Sequence, residues 1–166
     1  LEVRAGIDWG FVDPTTVVVS LFNKLDKTIY IIGEFYKRGA TLEEIKEGIE
    51  SLGIKKQRLY CDGAEPDKVD YLRRQGFNAV SAKKGAGSVK AGISFLQDMT
   101  IVCHESCTHV ATELENYVYL KDKKTGQYLE DSYDHDFSHT MDALRYSYSD
   151  LYTMGRMRSV KLNLGI

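Results

Sequence analysis

Proline is nearly missing, with two residues in 166, and no Gly-X-Y period runs through the chain, so a collagen-like rod is excluded. The polar bias of a disordered chain is missing too, since 43% of residues are hydrophobic and 28% charged. No run approaches 18 apolar residues, so neither a membrane-spanning helix nor a membrane partner is expected. The opening Leu1-Glu2-Val3-Arg4 carries no signal-peptide pattern and no Met, as in a processed or excised piece. No G-x-x-x-x-G-K-[ST] segment occurs, so the chain has no phosphate loop for ATP, and Gly85-Ala86-Gly87 is only a lone glycine pair. Repeats, low-complexity tracts and Pro- or Gly-rich linkers are absent. What remains is the length of one domain, whose folding buries roughly 70% of the surface of the unfolded chain.

Cysteine is scarce and odd in number, three in all, without framework spacing, as expected of a reducing compartment. Cys103, His104, Cys107 and His109 are four possible zinc ligands in one short segment. A single segment rarely wraps a tetrahedral ion, so a strand end followed by a helix start is the expectation there. Excess positive charge is missing as well: the net charge is −2, without the global basic footprint of a nucleic-acid binder. The distribution is uneven. Glu130, Asp131, Asp134, Asp136 and Asp142 fall in a stretch without Lys or Arg, whereas Lys83, Lys84 and Lys90, and Arg156, Arg158 and Lys161, form basic patches. A concentrated acidic site beside separate basic patches suits a metal-dependent enzyme acting on a polyanion.

The residue patterns predict strands over 3–7, 15–22 and 28–36, joined by the Asp13-Pro14 turn and the polar 23–27 turn into an antiparallel meander. Thr41-Leu42-Glu43-Glu44 is a capping box, followed by Leu42, Ile45 and Ile49 at helical spacing, which predicts a helix over 42–51. A short strand over 58–61 ends on Asp62-Gly63, and Pro66 and Gly76 bracket a second helix. Then come a strand at 78–82, a helix capped by Ser88, an extended 100–103 and a helix over 108–118. Residues 121–131, centred on Thr125-Gly126, read as a protruding hairpin, and Ser138 is expected to cap a last helix over 139–152. The order implies an α/β fold whose mixed sheet has an antiparallel and a parallel part, with crossover helices.

Three carboxylates stand out by position: Asp8 ends the first strand, Asp62 ends the fourth, and Asp142 lies in the first turn of the last helix. If strands one and four are neighbours, Asp8 and Asp62 emerge side by side, and a helix across that edge delivers Asp142 to the same point. Converging carboxylates repel, so such a site needs divalent cations, and oxygen-only ligands suit Mg²⁺ or Mn²⁺. Two ions about 4 Å apart activate a water and stabilise the leaving oxygen of a phosphodiester. His139 shares a helix face with Asp142 and suits holding a metal, orienting a water or transferring a proton. Asp134, His135 and Asp136 crowd the same region, and one of them is an alternative ligand to His139. Trp9 is read as a packing residue, and Gly10 as a position that leaves room for a phosphate near Asp8.

The stretch Ser138-His139-Thr140-Met141-Asp142-Ala143-Leu144-Arg145-Tyr146, with Gly6-Ile7-Asp8-Trp9-Gly10 and Tyr60-Cys61-Asp62-Gly63, resembles the nuclease domain of the large terminase subunit of tailed bacteriophages. The similarity covers about residues 3–152. It implies an RNase H-like fold, with residues 1–166 as one nuclease domain from the C-terminal part of a packaging motor subunit whose ATPase domain lies outside this sequence. It implies Asp8, Asp62 and Asp142 as metal ligands for Mg²⁺ or Mn²⁺, with His139 beside them. Lys83 and Lys84 then belong to a basic loop before the Gly92-Ile93 helix, and Lys121, Lys123 and Lys124 to a hairpin that overhangs the active site, all suited to DNA phosphates. The implied activity is endonucleolytic cutting of concatemeric viral DNA during genome packaging. The implied partners are double-stranded DNA, the ATPase domain of the same subunit, the portal protein and the small terminase subunit, in the host cell cytoplasm and outside the mature virion. Two rivals are an RNase H-like Holliday junction resolvase and an inactive module that only docks DNA or a portal.

Overall fold

A computed structural model describes residues 1–153, apart from the side chains of residues 130–132. The basic positions Arg156, Arg158 and Lys161, and the side chains of Glu130 and Asp131, lie outside the described residues. Strands β1 (Glu2–Asp8), β2 (Pro14–Asn23) and β3 (Thr28–Arg38) form the expected antiparallel meander. Helix α1 (Leu42–Ser51) leads to β4 (Arg58–Cys61), α2 (Pro66–Arg74) and β5 (Asn78–Ser81). Helix α3 (Ser88–Gln97) precedes β6 (Thr100–Cys103) and α4 (Thr108–Asn116). The six strands order as β5-β4-β1-β2-β3-β6, with β4, β5 and β6 added in parallel. A separate hairpin of β7 (Tyr119–Lys121) and β8 (Tyr128–Tyr133) follows, turning at Gly126 with φ +69°. A 3₁₀ turn at His135–Phe137 then leads into α5 (His139–Ser147) and α6 (Ser149–Tyr152). No helix among the described residues is long and apolar enough to cross a membrane.

Alternation along the strands sorts side chains into two cores. Ala5, Ile7, Val17, Val19, Leu59 and Cys61 meet α1 and α2 through Ile45, Ile49, Val69 and Leu72. On the opposite face Val18, Phe22, Ile29 and Ile31 meet Leu96, Val110, Ala143, Leu144 and Tyr148 from α3, α4 and α5. The Thr41 capping box is present in full: Glu44 N donates to Thr41 Oγ1 and Thr41 N to Glu44 Oε2.

Helix α5 is buried along its whole length, yet it carries His139, Asp142 and Arg145. Buried charged groups need partners, and how α5 sits decides which ones it meets. It lies directly on β1 at Gly6, where an added Cβ would stand 1.9 Å from the Ala143 carbonyl oxygen. Thr16 of β2, the register partner of Asp8, donates its hydroxyl to the His139 carbonyl at 2.8 Å.

Four local expectations need correction. Ser138 occupies the N-cap position before α5 but makes no capping hydrogen bond; its hydroxyl donates to the His135 carbonyl. The cap comes from the buried Glu113 of α4, whose Oε2 accepts from Thr140 N at 2.7 Å, Met141 N at 3.0 Å and the Thr140 hydroxyl. Ser88 is not a cap either: Gly87, at φ +76°, precedes the helix and Ser88 is its first residue. The last helix is not continuous over 139–152, because Tyr148 leaves helical geometry at φ −112°, ψ 7°. Its ring seats edge-on to Phe22, with its hydroxyl 2.9 Å from that of Ser20. At Gly10 an added Cβ would strike the Asp13 and Pro14 carbonyl oxygens at 2.4 and 2.6 Å, so the glycine serves the fold of its own loop.

Replacing Gly6 by Ala should therefore lift α5 off the sheet and cost at least about 2 kcal/mol, since the clash is with backbone that has no side chain to turn aside. Urea unfolding measures this, and a wild-type midpoint would show that α5 tolerates a shift away from β1.

Candidate active site

Strand alternation brings the three acids to one face. Gly6 lies under α5, so Asp8, two residues on, projects to the same side. On β4, Leu59 and Cys61 face the first core while Tyr60 faces Tyr146 of α5, so Asp62 also emerges on the α5 side. The parallel pairing of Ile7 with Cys61 sets the two carboxylates beside each other, and Asp62 N continues it by donating to the Ile7 carbonyl at 3.0 Å. Trp9 packs against the first core, as read, and also anchors the site: its Nε1 donates to the Asp62 carbonyl at 2.9 Å. Asp142 arrives from the first turn of α5.

The electrostatics report the crowding. Burial, with the Asp142 and Asp62 charges added to it, pushes the Asp8 carboxyl up to about 6, while His139 works in the opposite direction. His139 Nδ1 stands 3.8 Å from Asp8 Oδ2, an ion-pair distance too long for a hydrogen bond, and its Nε2 stands 3.9 Å from Asp13 Oδ1. The Asp8 carboxylate raises the imidazole above its ordinary value, against the effect of burial.

Each acid is turned toward its own basic side chain: Asp8 toward His139, Asp62 to Lys84, and Asp142 to Arg145 at 2.8 Å. Tyr133 of β8 also donates to the Asp142 carboxylate, at 3.2 Å. The Arg145 stem crosses α3 at Gly92, where an added Cβ would meet it at 2.4 Å. Among the described residues, accordingly, no three His, Cys, Asp or Glu side chains are gathered into an arrangement that could hold an ion. The donor set still fits a hard divalent cation: three carboxylates on one face, Asp62 and Asp142 close enough to oppose ionisation of Asp8, with oxygen as the only ligand atom.

The other candidate residues divide. Asp134 caps the 3₁₀ turn by accepting from Asp136 N, while Asp136 and His135 are exposed, so His139 is the residue of this set that the fold brings beside Asp8. Lys83, Lys121, Lys123 and Lys124 are exposed, and Lys121 lies over the Tyr128 ring. Cys103 and Cys107 flank the β6–α4 connection as expected, while His109 stacks on Tyr36 and pairs with Glu34 at 2.9 Å. The roles of Glu113, Tyr133 and Arg145 are not apparent from the sequence, where Asp13 is read only as a turn former. The three-residue spacing of Asp142 and Arg145 on one helix was the available signal. A largely apolar cavity of about 440 Å³, lined by Ile93, Leu96, Leu114, Tyr117, Tyr133 and Met141 among others, shares Tyr133 with the site.

The sequence profile of the terminase RNase H-like domain family matches residues 8–150. The PBSX phage terminase large subunit of Bacillus subtilis strain 168 is 35% identical over 153 residues, covering 89% of this chain and 34% of that protein. The chain spans about a third of the length of the curated relatives it matches. The crystal structure of the g2p large terminase nuclease domain of bacteriophage SPP1, with bound Mn, superposes at a TM-score of 0.83 with 28% identity, over 90% of this chain and 86% of that one. The large terminase nuclease of thermophilic phage G20c, with bound magnesium, shares the fold at a TM-score of 0.58 and 15% identity, over 89% and 80% of the two chains.

The raised Asp8 carboxyl is a stability statement about the metal-free protein. A proton bound more tightly in the folded state stabilises it below about pH 4, and that contribution is lost as pH rises through about 6. Asp8→Asn should therefore be more stable than wild type by about 3 kcal/mol at pH 7.5 in EDTA and by only about 1 kcal/mol at pH 4.5. Urea melts at the two pH values test this, and an advantage that grows toward acid would contradict it.

Proposed function

Because the chain belongs to the terminase RNase H-like domain family, we propose that it is the metal-dependent endonuclease of a phage packaging motor, cutting concatemeric viral DNA. The observation that carries this reading is the placement of Asp8, Asp62 and Asp142, from β1, the end of β4 and α5, on one face, where the Asp62 and Asp142 charges act on Asp8. These three residues would hold two Mg²⁺ or Mn²⁺ ions. Bound there, the ions supply an activated water and charge stabilisation for hydrolysis of the phosphodiester.

The protein's own residues do the rest. Tyr133 and Arg145 orient Asp142, and the Trp9 indole fixes the backbone that carries Asp62. His139, beside Asp8 and close to Asp13, orients a water or moves a proton at its imidazole. Lys83, Lys84, Lys121, Lys123 and Lys124 present ammonium groups to the phosphate backbone. In the whole subunit an ATPase domain drives the DNA, the portal and the small subunit complete the machine, and cutting takes place in the host cytoplasm. With a net charge of −2, the isolated chain should bind DNA weakly and lose affinity steeply with salt.

The test is incubation of plasmid and linear duplex with the chain at low salt, without nucleotide. Slow cutting with little sequence preference is expected in Mn²⁺, at least as fast as in Mg²⁺, with none in Ca²⁺. Asp8→Asn, Asp62→Asn and Asp142→Asn should each abolish it while remaining folded. His139→Ala should lose on the order of 10²-fold or more without a matching loss of melting temperature. Strict ATP dependence, near-wild-type cutting by Asp8→Asn, or a wide preference for four-way junctions would each overturn the reading.

A further inference from the structure

The basic side chains beside the three acids differ in a way that separates one from the others. Arg145 is sealed in, with its side chain 4% exposed, and His139 is nearly as enclosed at 10%. Burial opposes the Arg145 charge and Asp142 more than offsets it, so this pair is part of the fold. Lys84 is 43% exposed at the side chain, yet its ammonium reaches in to an Asp62 carboxylate that is only 14% exposed. It does so across the Tyr146 ring, with Nζ 5.0 Å from the ring centroid. The loop that carries it continues into Gly85 and Gly87, and open space surrounds both.

We propose that Lys84 is a built-in counter-ion that occupies the Asp62 carboxylate until a divalent cation displaces it. The inference rests on the metal-site reading above and adds to it an internal competitor. Three crowded carboxylates without a cation repel. The Lys84 ammonium offsets that repulsion at Asp62, where it also keeps the carboxylate from closing with Asp8 and Asp142 into a cage. Lysine suits this role better than arginine, because its ammonium is a single point charge on a flexible stem and leaves without breaking a bidentate fork. On displacement the ammonium swings outward on its exposed stem, to the side from which a phosphodiester approaches.

The competition is measurable without any cleavage. Mn²⁺ binding to the 166-residue chain is followed by titration calorimetry, with metal-free melting temperatures as a control for folding. Lys84→Met should bind Mn²⁺ about tenfold more tightly than wild type, equal to about 1.4 kcal/mol, and should melt lower than wild type in EDTA. Lys84→Arg should bind Mn²⁺ more weakly than wild type, because its bidentate fork is harder to displace. Lys83→Met removes the same charge one residue away and should change affinity less than about twofold, which separates displacement from a general field effect. If Lys84→Met binds no more tightly than Lys83→Met while wild type binds Mn²⁺, the counter-ion role is wrong and the metal site stands. If neither wild type nor any variant binds Mn²⁺, the metal-site reading fails and the counter-ion role falls with it.

Discussion

The seat of α5 on β1 is the constraint from which the site follows. With no side chain at Gly6, the helix backbone at Ala143 comes to rest directly on the strand. That closeness buries the helix on every side and carries Asp142 to the end of β1 where Asp8 emerges. It also forces the polar groups of α5 to find partners inside the protein. Glu113 satisfies the first-turn N–H groups, Thr16 takes the His139 carbonyl, and Arg145 and Tyr133 take the Asp142 carboxylate. The second layer of the site is thus set by how the helix packs.

Charge is the opposing constraint. Three acids on one face repel, and each carboxylate has its own basic side chain beside it. Two of those side chains are enclosed by the fold and one reaches in from a surface loop. This pairing offsets the repulsion and also holds the carboxylates apart among the described residues.

Much of this was legible in the sequence. β-Branched runs marked β2 and β3, the Thr41 capping box marked α1, and Asp8-Trp9-Gly10 and Asp62-Gly63 marked where β1 and β4 stop. Those signals are local, and the structure agrees with them. The corrections concern partners that are distant in sequence. Ser138 looks like a cap, but the carboxylate that caps α5 comes from Glu113 on another helix. The break at Tyr148 answers to Phe22 and Ser20, residues of β2 that no local pattern connects to it. Lys84 was legible as a basic residue in a loop, whereas its pairing with Asp62 depends on how the β5–α3 loop folds back over the sheet edge. Gly10 was read as leaving room for a ligand, and its neighbours prove to be the carbonyls of its own turn.

The central claim is that Asp8, Asp62 and Asp142 together hold divalent metal at the end of β1 and β4. The most direct test is anomalous diffraction from crystals of the chain soaked in Mn²⁺. Strong peaks are expected between the three carboxylates, with Asp62 released from Lys84 and Asp142 still bound by Arg145. Peaks at other residues, or an unoccupied site whose Asp62–Lys84 pair persists at saturating Mn²⁺, would contradict it.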